Sequence, residues 1–244
     1  PKAVIVTNNY KITKLLAAEL KKHKLFFISV RSARDLGVDN TAGKRRPSKL
    51  VNTRLTQSKH KILKISKLAK ISRHSRKLFS GSAFSSSTWG HQVSGIAESR
   101  MLSFERDALA CSGITAAGRC RAVGLVVAYG VLGTPRARIV RETLRDWFGM
   151  IRLANPIPEL VHEIRNAWVK AKNKLRSSNN SINDVHGIMS NVIHMLIQAK
   201  WDPIAPNMWV DPEGNNWTIQ NMKVAPDVVA AALTKSFMDL DLVR

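Results

Sequence analysis

Apolar and polar residues alternate with several distinct periods along the chain, and each period predicts its own element. Residues 3–6 (Ala-Val-Ile-Val) and 25–30 (Leu-Phe-Phe-Ile-Ser-Val) are short apolar runs that predict strands, with residues 33–38 a possible third. Between the first two, residues 13–22 carry Leu15, Leu16 and Leu20 at helical spacing. A tight turn at Gly37 completes a small α/β edge. So few strands cannot cover both faces of a sheet, so this piece must lean on something else.

Residues 44–79 follow another rule. Eight lysines and five arginines fall between Lys44 and Lys77, and no carboxylate occurs between Asp39 and Glu98. Leu55, Ile62, Ile65, Leu68, Ile71 and Leu78 are threaded through the charge, which a solvated tail would lack. A purely structural helix would carry acidic partners at i+4 to offset its lysines. The pattern predicts a helix, or two in series, packed on one side and facing a polyanion on the other. Ile62, Ile65, Leu68 and Ile71 recur every three residues beside Lys61, Lys64, Lys67 and Lys70, so the apolar stripe is expected to wind around the axis. Pro47 is placed to begin this helix and Ser80-Gly81 to end it.

Residues 80–94 are small and polar, and predict a flexible loop anchored by Phe84 and Trp89. Helices follow at 98–111 and 119–129, the second apolar nearly all round and therefore expected to be central and buried. Thr134-Pro135 reads as an N-cap and first-turn proline opening a helix through Val140, Leu144, Trp147 and Ile151. Val161, Ile164, Trp168, Ala171 and Leu175 then step 3-4-3-4. After a linker at 177–181, Ser181 and Asp184 suggest a capping box for a helix through Ile182, Val185, Met189, Val192 and Leu196. These two helices are expected to pair antiparallel. Asp211-Pro-Glu-Gly214 has a type I turn signature between Met208-Trp209-Val210 and Trp217-Thr218-Ile219, which predicts a hairpin. A last helix spans 226–240, with Val229, Leu233, Phe237 and Leu240 on one face.

The fold class is therefore mainly α (α+β): an N-terminal α/β edge, a long basic helix, a helical bundle, and a C-terminal hairpin and helix. Four parts are expected, 1–40, 41–97, 98–176 and 177–244. The 244 residues, 44% of them apolar, suffice for a packed core.

Charge changes the picture most. The formal net charge of +22 points to nucleic acid or another anionic surface. Residues 1–97 hold 21 basic against 3 acidic residues, 98–176 hold 14 against 7, and 177–244 hold 4 against 7. One end binds something anionic; the other does something different, and is expected to meet protein. The residues assigned to nucleic acid are Lys44, Arg45, Arg46, Lys49, Arg54, Lys59, Lys61, Lys64, Lys67, Lys70, Arg73, Arg76 and Lys77. Stacking of a base on Trp209 or Trp217 is a lesser expectation than hairpin packing.

Cys111 and Cys120 are the only cysteines, with no metal-ligand spacing, and are expected to be buried reduced thiols of an intracellular protein, mitochondrial or nuclear. No apolar run reaches a bilayer's thickness, and no signal peptide is visible; starting at Pro1, the sequence reads as a processed or partial chain. Residues 1–97 hold no close acidic pair for two metal ions, Asp239 and Asp241 read as surface charge on a late helix, and neither a phosphate-binding glycine loop nor a nucleophile elbow occurs in the sequence. Neither catalysis nor a cofactor is expected.

Lys2-Ala-Val-Ile-Val6, a helix, residues 25–30, then Asp35-Leu36-Gly37-Val38 and Thr41-Ala42-Gly43-Lys44-Arg45-Arg46 resemble the palm edge and thumb of non-LTR retroelement reverse transcriptases. Ser80-Gly81, Trp89-Gly90-His91 and the tryptophan-rich hairpin extend the likeness over most of the chain. The family's paired palm aspartates would lie upstream of Pro1. The resemblance implies that the basic stretch tracks a primer–template backbone, and that Lys2 falls where the family places a lysine near the incoming nucleotide. With those aspartates missing, the reading is a noncatalytic RNA-binding protein, a structural component of a ribonucleoprotein such as a ribosome-like particle. The alternative is a fragment of an active reverse transcriptase that grips primer–template.

Overall fold

The computed structural model describes residues 3–6, 9–23, 25, 27–30, 32–35, 38–41, 46, 48–114, 120–219 and 225–242. It is mainly helical, with short strands at both ends. At the N-terminus, β1 (Ala3–Val6) and β2 (Phe27–Val30) pair in parallel across α1 (Tyr10–Lys22), whose N-cap Asn9 accepts from the backbone N–H groups of Lys11 and Ile12. In α1, Thr13 is buried and Ala17 and Leu20 are half-buried, whereas Leu15 and Leu16 are exposed. The single third strand expected at 33–38 is instead two: β3 (Ser32–Asp35) and β4 (Val38–Thr41) form an antiparallel hairpin, with Arg34 opposite Asp39. Gly37 and Pro47, to which a turn and a helix start were assigned, lie outside the described residues.

The basic stretch forms α2 (Lys49–Ala69) and, after a break, α3 (Ser75–Leu78). The chain does not stop at Ser80-Gly81. It continues through a π-helical turn (Phe79–Ala83) into α4 (Phe84–Thr88) and α5 (His91–Ser94). The flexible loop expected here is thus helical, because Phe79, Ala83, Phe84, Thr88 and His91 all find buried places and the Ser86, Thr88 and Ser94 hydroxyls donate to local carbonyls. Phe84 is a fully buried anchor, whereas Trp89 is 59% exposed.

Next come α6 (Glu98–Ala110), α7 (Arg121–Tyr129), α8 (Pro135–Ala154), α9 (Pro158–Ser177) and α10 (Ile188–Gln198). In α7 only Ala122, Gly124, Leu125 and Ala128 are buried; Val123 and Val127 face outward, so the helix is peripheral rather than central. Thr134 caps α8 by accepting from the Ala137 N–H, as its place before Pro135 predicts. The helix expected from Ile182 begins only at Ile188. Ser181 caps a single 3₁₀ turn (Ile182–Asp184), and Gly187, at φ +90°, resets the chain direction before α10.

A three-stranded antiparallel sheet follows, β5 (Asp202–Ala205), β6 (Met208–Val210) and β7 (Asn216–Thr218), and then α11 (Ala225–Leu242). The hairpin of β6 and β7 is where the turn signature put it, with Gly214 N–H donating to the Asp211 carbonyl at 3.1 Å and Trp209 opposite Trp217. Strand β5 carries no alternation that would have revealed it.

Two apolar clusters hold these elements together. One joins α2, the π-helical turn, α4, α6, α7 and the start of α8; the other joins α8, α9, α10, the C-terminal sheet and α11. Each takes residues from both sides of a sequence division expected at 98 or 177. In the second, Trp147 lies 5.4 Å from Trp168 and Phe148 stacks 5.6 Å from Trp209. Their indole N–H groups are satisfied by one short stretch: Trp168 donates to the Pro203 carbonyl, Trp209 to Ala205 and Trp147 to Pro206. Trp209 is completely buried and Trp217 sits 5.3 Å from Trp201, so both belong to hairpin packing.

Between the clusters lies a buried charge network. Arg136 donates to both oxygens of Glu98 and to Glu105, Glu105 also accepts from Arg121, and Arg121 reaches Asp241. Both carboxylates of the inner pair are thereby compensated, which a buried charge requires.

His194 adds a pH-dependent element. It is 3% exposed, its Nδ1 lies 2.9 Å from Asn180 Oδ1, and its Nε2 has no hydrogen-bond partner. Because an amide oxygen only accepts, Nδ1 carries the proton and the ring is neutral. Burial, with the Arg46 guanidinium as a smaller contribution, pulls its pKa down to about 4. Such a group leaves the fold at full stability above its unfolded pKa of about 6.5 and removes stability as pH falls from there towards 4. We expect a loss of about 3 kcal/mol over that window, seen in urea titrations as a wild-type decline that the His194→Gln variant lacks.

Candidate nucleic-acid interface

Helix α2 buries Val51, Leu55, Ser58, Ile62, Ile65 and Ala69, a regular 4-3-4-3-4 stripe. The winding stripe expected from the isoleucines is therefore corrected. Leu68 and Ile71 are exposed, and the small residues Ser58 and Ala69 take the buried positions that helical spacing requires. Ser58 is accommodated by donating to the Leu55 carbonyl. At about 100° per residue, Lys49, Lys64 and Lys67 fall on the side opposite this stripe, with Lys61 and Lys70 flanking them.

The helix is held firmly enough to present a fixed surface. Its stripe packs against Phe79, Phe84, Phe104 and Leu109, where Phe79 and Phe104 lie 5.4 Å apart. Cys111 Sγ donates to the Ile62 carbonyl, and Ser75 Oγ donates to the Cys111 carbonyl. Gly113, at φ +75°, brings the next loop so close that a Cβ there would stand 2.7 Å from the Ala69 carbonyl oxygen. Burial pushes the Cys111 thiol up to about 12, so it stays protonated. The second thiol is not buried as expected: Cys120 precedes α7 directly and is exposed.

Of the thirteen cations assigned from the sequence, Lys44 and Arg45 lie outside the described residues. Lys49, Lys59, Lys61, Lys64, Lys67, Lys70, Arg73, Arg76 and Lys77 are exposed. Three arginines are tied to backbone. Arg46 is half-buried and donates to the Ser94 and Gly95 carbonyls, Arg54 donates to the Trp89 carbonyl, and Arg76 to the Ala128 carbonyl. Those three act first as struts.

Among the described residues, no cation from Lys49 to Lys77 has a carboxylate within ion-pair distance. The carboxylates of the later helices are taken locally instead: Asp202 by Lys172 and Arg176, Asp184 by Lys174, Asp227 by Arg145. At the end of α9, Lys172, Lys174 and Arg176 are thereby paired and structural, whereas Lys170 is exposed. Among the described residues no group of three or more His, Cys, Asp or Glu side chains could hold a metal ion, and no helix is long and apolar enough to cross a membrane.

Beside the basic face lies a cavity of about 310 Å³ between the α4–α5 turn and α8, with Trp89 at its edge and His91, Gln92, Glu142, Arg145 and Asp146 among its lining. His91 is 1% exposed; its Nδ1 is 2.7 Å from the Thr88 carbonyl and its Nε2 3.8 Å from Glu142. Desolvation raises the pKa of both Glu142 and Asp146. In sequence, Trp89 and His91 read only as a loop anchor and part of the family likeness, and nothing joins them to Glu142 and Asp146, about 50 residues away.

Comparison with protein-family models, curated proteins and solved structures finds no match to the chain.

Proposed function

We propose that this protein is a noncatalytic RNA-binding protein that reads the phosphate backbone, a structural component of a ribonucleoprotein such as a ribosome-like particle. One observation carries the reading: a packed helix presents exposed lysines without carboxylate partners among the described residues, while Asp184, Asp202 and Asp227 pair with cations of the later helices. Cations left uncompensated on a rigid face cost solvation nothing and gain counterion release on meeting phosphates. Residues 177–244, with more acidic than basic side chains, take the protein contacts in this reading.

A second reading, a fragment of a non-LTR reverse transcriptase gripping primer–template, is favoured by the order of elements. The strands flanking residues 36 and 37 pair as a hairpin ahead of the basic helix, where the resemblance calls for a turn leading into the thumb. Filter binding to structured RNA, duplex DNA and an RNA–DNA duplex across a salt series tests both. Tightest binding to RNA with a steep salt slope is the expected result; preference for the RNA–DNA duplex moves the assignment to the second reading. Weak binding of all three at physiological salt overturns both.

A further inference from the structure

We propose that the cavity between the α4–α5 turn and α8 is a pocket for one unpaired guanine base of an RNA strand whose backbone lies on α2. The proposal rests on the RNA-binding reading and adds a base-specific contact to it. Of the six tryptophans, Trp89 is the one that lies more than half exposed, at 59%, while the other five pack in the C-terminal cluster or its rim. Trp89 lies at the edge of a cavity of about 310 Å³, in the wall of which stand two carboxylates, Glu142 and Asp146. Among the described residues, neither carboxylate accepts a hydrogen bond from the protein. Glu142 approaches Arg138 no closer than 3.7 Å and His91 no closer than 3.8 Å.

These are the parts a splayed base needs. An exposed indole offers a stacking face, and stacking contributes on the order of 1–3 kcal/mol per base. A carboxylate is an acceptor-only group with two oxygens. It matches the adjacent N1–H and N2–H donors of guanine and repels uracil, whose edge is mainly acceptor. Gln92 supplies a side-chain amide in the same lining. The pocket is also continuous with the cationic face: Arg54 of α2 donates to the Trp89 carbonyl at 2.7 Å, and Lys61 Nζ lies 3.4 Å from Ser86 Oγ of α4. A strand running along α2 therefore passes the mouth of the pocket.

The test titrates the full chain with an all-uridine RNA dodecamer and with the same strand carrying one central guanosine, at two salt concentrations. The guanosine strand is expected to bind about tenfold more tightly, with quenching of tryptophan emission that a Trp89→Phe variant lacks. Trp89→Ala, Glu142→Gln and the milder Asp146→Asn should each reduce that preference. Equal binding of the two strands, or a preference that survives all three substitutions, overturns the pocket and leaves the backbone reading standing. Failure of both strands to bind at low salt overturns the backbone reading and the pocket with it.

Discussion

Replacing Lys61, Lys64, Lys67 and Lys70 together with glutamine is expected to lower RNA affinity about a thousandfold at 0.1 M salt. Each phosphate neutralised by a lysine contributes about 0.7–0.9 to the slope of log K against log salt, so four lost contacts take about 3 units off that slope. All four lysines are exposed on α2 or at its C-cap, and none has an ion-pair partner among the described residues, so little in the fold opposes the change. Glutamine matches lysine in helix propensity, which keeps the expected stability change within about 0.5 kcal/mol. Net charge alone would also weaken binding. The control therefore substitutes four exposed cations elsewhere, Arg152, Arg165, Lys170 and Lys200, and should leave the slope within about one unit of wild type. If the two quadruple variants behave alike, the basic helix is not the interface.

How much of this was legible in the sequence depends on how local the determining physics is. The cap at Thr134-Pro135, the turn at Asp211–Gly214 and the 3-4 stripes of α8 and α9 are decided by residues a few positions apart, and they stand where the pattern put them. The face of α2 is not the one its isoleucines and leucines alone predict. What decides the face is geometry with neighbours: small Ser58 and Ala69 take the buried positions, and Gly113 closes on Ala69. Residues 80–94 looked like a loop because serine and glycine favour turns; tertiary burial of Phe79, Phe84 and His91 overrode that propensity. The cationic face was legible, since it depends on composition. The cavity at Trp89 was not, since Glu142 and Asp146 reach it only through the packing of α8 against the α4–α5 turn.

Trp168→Ala is expected to destabilise the fold by about 3–5 kcal/mol. The indole is fully buried, lies 5.4 Å from Trp147, and donates from Nε1 to the Pro203 carbonyl at 3.1 Å. Losing that bond strands a buried carbonyl, which costs about 1 kcal/mol or somewhat more. The larger share comes from the void left among Trp147, Leu175 and the C-terminal strands, because neighbours already in close contact collapse only partly. Trp168→Phe separates the two: it keeps an aromatic ring against Trp147 but has no N–H, so its cost should fall well below that of alanine. Urea unfolding followed by circular dichroism measures both. A shift below about 0.5 kcal/mol for alanine would place the residue outside the core. Since α9 belongs to the second cluster and α2 to the first, the alanine variant, kept well below its unfolding midpoint, should retain the wild-type salt slope for RNA. Loss of that slope in folded protein would show that the two clusters are coupled through α8, the helix both of them share.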